Sequence, residues 1–323
     1  MLVLAVPFGD PAFVPSGAEL SQSTWGPDYH RVIPPILGDV LSHLVGRRAA
    51  RSAVTQVDSG PLEERAFALD MGLGRLGHNA SILVGPWGPR VFLALALTRD
   101  PLPEHRLVPP GAAIFHPHCA ECGQCLEACP TGALAVPGRV VALRCLSYVS
   151  QKRGFLPDTL ARRLGGRIYG CDECTRVCPL GRTRGLPMFS GRRRDRYPDA
   201  AGILTDGAEQ YAGLWEGKAA AWRGRRLLER NAVNALGAAG SAEDVPLLEG
   251  ILSHPSPPLR AAAARSLGRL AERGIPVDLS PLRALAEDDP EDRVRIAAIR
   301  AARGRVGTPR YPSGFRRGPT GLH

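Results

Sequence analysis

Cys119-Ala120-Glu121-Cys122-Gly123-Gln124-Cys125-Leu126-Glu127-Ala128-Cys129-Pro130 and, further on, Cys171-Asp172-Glu173-Cys174-Thr175-Arg176-Val177-Cys178-Pro179 decide how the middle of this chain folds. The first run has the C-x2-C-x2-C-x3-C-P spacing of bacterial two-cluster iron–sulfur loops. Three closely spaced thiolates can wrap three corners of a cubane from one loop. The fourth, followed by proline, starts a helix that leads away and serves the other cluster. The second run lacks the first member of such a set, and Cys145 can fill the gap. All eight cysteines lie between Cys119 and Cys178. The spacing therefore predicts two [4Fe–4S] clusters with crossed ligation. Cys119, Cys122, Cys125 and Cys178 take one; Cys129, Cys145, Cys171 and Cys174 take the other. Zinc also accepts four thiolates, but the Cys-Pro endings and the spacing favour iron–sulfur. Cytosolic thiols stay reduced, which argues against disulfides.

Outward from the cysteines, composition sets the class. The 323 residues are 44% hydrophobic and 22% charged, which is globular rather than disordered. Aromatics are only 6%, so a core must lean on Leu, Val and Ala. No apolar run approaches the roughly 20 residues of a membrane span. Met1–Val6 lacks the basic flank and cleavage site of a signal peptide. These features predict a cytoplasmic protein with no membrane partner. The net charge is +10, and Lys152 and Lys218 are the only lysines. Arginine excess fits a polyanionic partner such as nucleic acid; equally, it fits GC-rich codon usage.

Residues 1–115 read as an α/β domain. Met1–Pro7, Ser81–Val84 and Val91–Thr98 have strand character, and Arg31–Leu44 has helical apolar spacing. A further helix is predicted from Pro61, with Glu63 and Glu64 in its first turn, to about Gly72. Residues 116–190 form a ferredoxin-like α+β module for the two clusters. Residues 191–221, polar and Arg-rich, read as a linker. Residues 222–304 repeat a helical theme at Arg230–Gly237, Arg260–Gly268 and Arg293–Ala302. That region resembles HEAT-like repeats, which usually form interaction surfaces. The tail 305–323 has no periodicity and reads as disordered.

Gly72-Leu73-Gly74-Arg75-Leu76-Gly77 matches G-x-G-x-x-G, but a helix precedes it and a strand follows, the reverse of a dinucleotide-binding turn. Its glycines are expected to let backbone pass close to something flat or bulky. Asp58, ahead of Pro61, reads on local grounds as a helix N-cap.

Taken jointly, Asp28-Tyr29-His30, Asp58 through Ala68, the glycine loop with Asn79, the cysteine runs, Cys145-Leu146-Ser147-Tyr148, Ile168–Asp172 and Arg230-Asn231-Ala232 resemble epoxyqueuosine reductase. The resemblance covers most of residues 20–240. It implies an oxidoreductase that makes queuosine in tRNA, with cobalamin in the first domain, base-off and near one cluster. It implies tRNA as partner, through the anticodon region carrying the modified base, and an external low-potential electron donor. Asp58 aligns with the family's proton donor, and a corrin roof would raise its pKa by desolvation. The glycine loop and Asn79–Leu83, Ile82 among them, would lie with their backbone against cobalamin; Ser147 and Asp172 would sit at its junction with the clusters. Arg223, Arg225, Arg226, Arg260, Arg265 and Arg295 are candidates for tRNA phosphates.

The chain departs from the family in places. Gly74-Arg75-Leu76-Gly77-His78-Asn79-Ala80 stands for Gly-Trp-x-Gly-Lys-Asn-Thr, and Ser150-Gln151-Lys152 for Thr-Ile-Glu. The family's N-terminal stretch has no counterpart before Met1. Two alternatives share the cysteine pattern: a cobalamin and iron–sulfur reductase of another small molecule, similar to reductive dehalogenases, and a non-catalytic iron–sulfur electron carrier that has lost cobalamin. Cobalamin absorbance separates the carrier, and salt-dependent tRNA binding separates the other reductase.

Overall fold

A computed structural model describes residues 1–105, 107–109 and 111–304, so the tail at 305–323 lies outside the described residues. The N-terminal part is built on a three-stranded antiparallel sheet. Strand Val91–Leu97 is central, with Leu2–Pro7 on one side and Val54–Val57 on the other. Both faces of the sheet are covered, which explains the near-continuous apolar run Val-Phe-Leu-Ala-Leu-Ala-Leu of the central strand. One face packs on Ile33, Leu37 and Leu41 of helix Tyr29–Ser52. The other meets Ala68 of helix Glu64–Asp70, with Ile82 and Val84. Each fully buried side chain of this kind contributes about 1.5–3 kcal/mol.

The helix expected from Pro61 begins only at Glu64. The buried Gln56 side chain is the reason. Its amide donates to Leu62 O at 2.7 Å and Glu64 Oε1 at 2.6 Å, while its carbonyl accepts from Leu62 N at 3.0 Å. Residues 58–63 wrap around this side chain instead of turning helical. The G-x-G-x-x-G stretch forms a small hairpin, Arg75–Leu76 against Ile82–Leu83. Its glycines allow close approach within the hairpin. A Cβ at Gly74 would stand 2.4 Å from Leu83 O, and one at Gly77 2.5 Å from Asn79 Oδ1.

Residues 191–221 are no linker. Helices Ala200–Thr205 and Ala208–Trp215 bury Ile203 and Trp215 in the same core as the C-terminal helices. That C-terminal part runs Arg225–Ala239, Val245–Ile251, Pro257–Glu272, Ser280–Asp288 and Asp292–Ala302. The fourth of these had no counterpart in the sequence reading. Small residues bring the long helices close: Cβ atoms at Gly237 and Gly268 would meet Ser266 at 2.5 Å and Ala301 at 2.8 Å. Arg230 and Asn231 fasten these helices to the cysteine-bearing module. Asn231 Nδ2 donates to Ser150 O and Ile168 O, both at 2.8 Å, and Arg230 to Gly154 O at 2.8 Å. No helix among the described residues is long and apolar enough to cross a membrane.

Candidate cluster site and the Asp58 face

Cys119 and Cys122 bound one short helical turn, and Cys125 lies in the next, Gln124–Glu127. Gly123 between them has φ 63°, a left-handed hinge that turns the third thiol back towards the first two. Cys178 follows the turn Glu173–Arg176. Cys119, Cys122, Cys125 and Cys178 line one recess of about 320 Å³, open to solvent, with His78 and Asn79 on its rim. Burial pushes the Cys125 thiol up to about 11, with the thiolates of Cys119, Cys178 and Cys122 adding to it.

Cys145, Cys171 and Cys174 form a second group. Burial raises the Cys171 thiol to about 12, and Cys145 adds to that rise. Cys174 is raised by burial, then by Cys171 and Cys145. Cys129 differs. Burial raises its pKa, but N–H donors of Thr131, Leu134 and Ala133 outweigh it and hold the thiol below its ordinary value. Thr131 Oγ1 lies 3.8 Å from Cys129 Sγ and donates at 2.7 Å to the carbonyl of Arg144, next to Cys145.

The donor set suits iron–sulfur groups: eight thiols, all free, in two neighbourhoods. Among the described residues, no three His, Cys, Asp or Glu side chains converge tightly enough to hold one metal ion. A multi-iron cage spaces its thiolates more widely than a single zinc does. His78 Nδ1 is buried at the rim without a hydrogen-bond partner, as a donor awaiting a sulfur would be.

Asp58 follows strand Val54–Val57 as the central residue of a three-residue turn closed by Ser59 N to Val57 O at 2.6 Å. Its φ of 58° is a strained value for a residue with a Cβ. Since the nearest helix starts at Glu64, Asp58 is not a helix cap. Its side chain is 65% exposed. Tyr29 Oη donates to Asp58 Oδ2 at 2.9 Å; His30 Nε2 meets the same oxygen at 3.2 Å, and His30 Nδ1 meets Asp28 Oδ1 at 2.7 Å. Asp28 caps the helix on which Tyr29 and His30 sit, by accepting from His30 N. Tyr29 is held in turn by stacking on Phe92 and His30.

Asp58 has its pKa lowered: the His30 hydrogen bond leads, burial opposes it, and Tyr29 assists. His30 is raised, chiefly by Asp58, against burial. Between the ordinary values of 3.8 and 6.5 the proton of this pair therefore resides on His30.

Other expected contacts fall differently. Asn79 is buried; its amide donates to Cys174 O at 3.4 Å and its carbonyl accepts from Ser81 N at 3.2 Å. The Ile82 side chain is in the core beside Ala68. Both side chains shape the hairpin, and Asn79 also borders the recess of Cys119, Cys122, Cys125 and Cys178. Asp172 accepts from Ser21 Oγ and Gln22 N, both at 2.7 Å, so its carboxylate fastens the N-terminal part to the cysteine loop. Ser147 is half-buried, in the first turn of the helix after Cys145. Of the residues expected around cobalamin, Asp58 has the most exposed side chain, at 65%.

Five of the six phosphate candidates have a polar partner within the chain, Arg226 meeting His254 Nε2 at 2.9 Å. Arg260 makes a two-pronged pair with Asp289 at 2.7 and 2.9 Å, Arg265 pairs with Asp158, Arg225 with Glu229, and Arg295 with Asp292. Missed by the sequence reading is Trp222. It is 57% exposed, carries the Arg223 guanidinium at 3.7 Å, and donates from Nε1 to Tyr169 Oη at 2.6 Å. Tyr169 in turn feels the charges of Asp58 and Asp28. Tyr29 and His30 had a signal in Asp28-Tyr29-His30, but their partner Asp58 lies far along the chain. Trp222 had no signal beyond being one of four tryptophans.

Comparison with known proteins agrees with this layout. Residues 118–181 match the 4Fe-4S double cluster binding domain, and residues 224–303 match HEAT repeats. The chain is 31% identical over 275 residues to epoxyqueuosine reductase of Bacillus subtilis, covering 84% of this chain and 69% of that one. It is 32% identical over 264 residues to the Bacillus anthracis enzyme, covering 79% and 66%. The chain thus spans about two thirds of the length of these relatives. A crystal structure of epoxyqueuosine reductase with a tRNA-Tyr epoxyqueuosine-modified stem loop superposes with TM-score 0.79 at 28% identity, covering 94% of this chain and 80% of that one.

Proposed function

The chain belongs to the epoxyqueuosine reductase family, and on that premise we propose that it reduces epoxyqueuosine in tRNA to queuosine, using cobalamin and two [4Fe–4S] clusters. The reaction takes two electrons and two protons, opens both C–O bonds of the epoxide, leaves an alkene and releases water. When bound, the clusters deliver single electrons and cobalamin supplies a strongly nucleophilic or reducing centre. Cys119, Cys122, Cys125 and Cys178 would hold one cluster; Cys129, Cys145, Cys171 and Cys174 would hold the other. Asp58 and the backbone at Asn79 and Ile82 would meet cobalamin, with Ser147 and Asp172 at its junction with the clusters.

The observation that carries this reading is the strained, exposed Asp58, gripped by Tyr29 and His30. A departing alkoxide is a poor leaving group at neutral pH and needs a proton. Asp58 presents the oxygen that can pass one on. His30 stores the proton and Asp28 orients the imidazole. Tyr29 fixes the carboxylate, and its own hydroxyl, pushed up by burial and by Asp58, stays protonated. Substrate covering Asp58 removes water from it, which moves the shared proton towards the carboxylate.

Exposed Trp222 under Arg223 offers a flat, cationic surface beside Tyr169 for an unstacked base. The phosphate role falls to arginines such as Arg193 and Arg194, which are exposed. An external low-potential donor feeds the clusters, and the cytoplasm supplies tRNA. Anaerobic reconstitution with cobalamin, followed by an assay on epoxyqueuosine-containing tRNA, tests the proposal. Conversion supports it. Cluster-loaded protein that binds no cobalamin would instead favour a plain electron carrier.

A further inference from the structure

Arg90 is 1% exposed, at the start of the central strand. Burying a guanidinium is costly unless an opposite charge offsets it. Among the described residues no carboxylate lies within ion-pair distance of it. Its hydrogen bonds go to backbone carbonyls: Nη1 to Thr175 O at 3.4 Å and Nη2 to Gly181 O. Its Nε is buried and has no partner. The two carbonyls flank Cys178 on either side. Gly181 is shaped for the contact, because a Cβ there would stand 2.9 Å from Nη2.

The negative groups that act on Arg90 are Cys178 first, then Asp172 and Asp10. Asp172 is already engaged by Ser21 and Gln22, and Asp10 faces Arg184 at 3.0 Å. Ser21 and Gln22 are neutral, so Asp172 also acts on Arg90, but Cys178 acts most strongly, and Arg90 holds the loop on both sides of it through Thr175 O and Gly181 O. A cubane held by four thiolates is a net anion, and reduction adds one more negative charge.

We propose that Arg90 is the buried counter-charge of the cluster held by Cys119, Cys122, Cys125 and Cys178, and that it raises that cluster's reduction potential. This rests on the cluster assignment above. A fixed cation beside the site favours the reduced, more negative form, and low dielectric strengthens the effect. Arg90 also clamps the loop, yet its charge is the property at issue.

The test is an anaerobic, EPR-monitored redox titration of the reconstituted protein, with iron and labile sulfide counted first. Wild type that takes up neither iron nor sulfide refutes the cluster assignment before any variant is made. Arg90→Met, with both clusters loaded, should shift the midpoint of the first cluster to more negative potential and move the second less. Arg90→Lys, which keeps the charge but cannot reach both carbonyls, should stay near wild type. Unchanged potentials in a fully loaded Arg90→Met protein overturn the proposal. Should Arg90→Met fail to load, Arg90→Lys decides. Loading with a native potential supports the counter-charge role; a displaced potential, or failure to load, makes Arg90 a clamp only.

Discussion

His30 Nε2 stands 3.2 Å from Asp58 Oδ2, so the imidazole and the proposed proton donor titrate as a pair. The pair forms because Asp58 is thrust outward by a strained turn while His30 sits in the first turn of a helix capped by Asp28.

Asp58→Asn keeps the shape and removes the acid. It should retain both clusters and lose about 10²–10⁴-fold in turnover. Iron content and single-turnover rates on modified tRNA check this; activity near wild type removes Asp58 from the mechanism.

The pH dependence follows from the directions of the two shifts. His30 is raised above its ordinary 6.5, so the protonated form persists past that value and is lost as pH climbs through the raised pKa. Asp58 is lowered from 3.8, so its ionised form is lost only as pH falls below that. Any stability from the pair is fully present between those ordinary values, and solvent screening keeps it small. Turnover should fall on the alkaline side as His30 deprotonates, and His30→Gln should abolish that limb. A kcat/KM profile that is the same in both proteins contradicts the account.

Trp222→Ala should raise KM for tRNA by roughly 5–150-fold, the worth of about 1–3 kcal/mol for one stacked base, with kcat largely kept. Steady-state kinetics over a tRNA concentration series separates the two constants. A drop in kcat alone would place Trp222 in scaffold packing through Tyr169.

Arg260 belongs to the repeats' interior. Arg260→Met leaves Asp289, whose side chain is 2% exposed, without its partner. It should destabilise the protein by about 3–5 kcal/mol, visible in chemical denaturation, while tRNA affinity of the folded fraction stays unchanged. A specific loss of tRNA affinity would return Arg260 to the nucleic-acid surface.

Local patterns were legible where one residue type at fixed spacing carries the chemistry. The cysteine runs fixed two neighbourhoods, and the Ala-rich turns around Arg230, Arg260 and Arg295 fixed the repeats. What stayed hidden depends on distant pairings. Gln56 captures the loop that local signals assigned to a helix from Pro61. Asp172 and Asn79 spend their polar atoms on Ser21, Gln22 and Cys174, partners that no spacing reveals. Residues 191–221 looked polar because arginines dominate their surface, while Ile203 and Trp215 point into the core.

The most direct measurement is mass spectrometry of nucleosides from epoxyqueuosine-containing tRNA after incubation with reconstituted protein, cobalamin and a low-potential reductant. The account predicts queuosine, lighter by one oxygen atom, formed by wild type and not by Asp58→Asn. Protein with both clusters and cobalamin loaded that binds the tRNA and leaves epoxyqueuosine intact would contradict it.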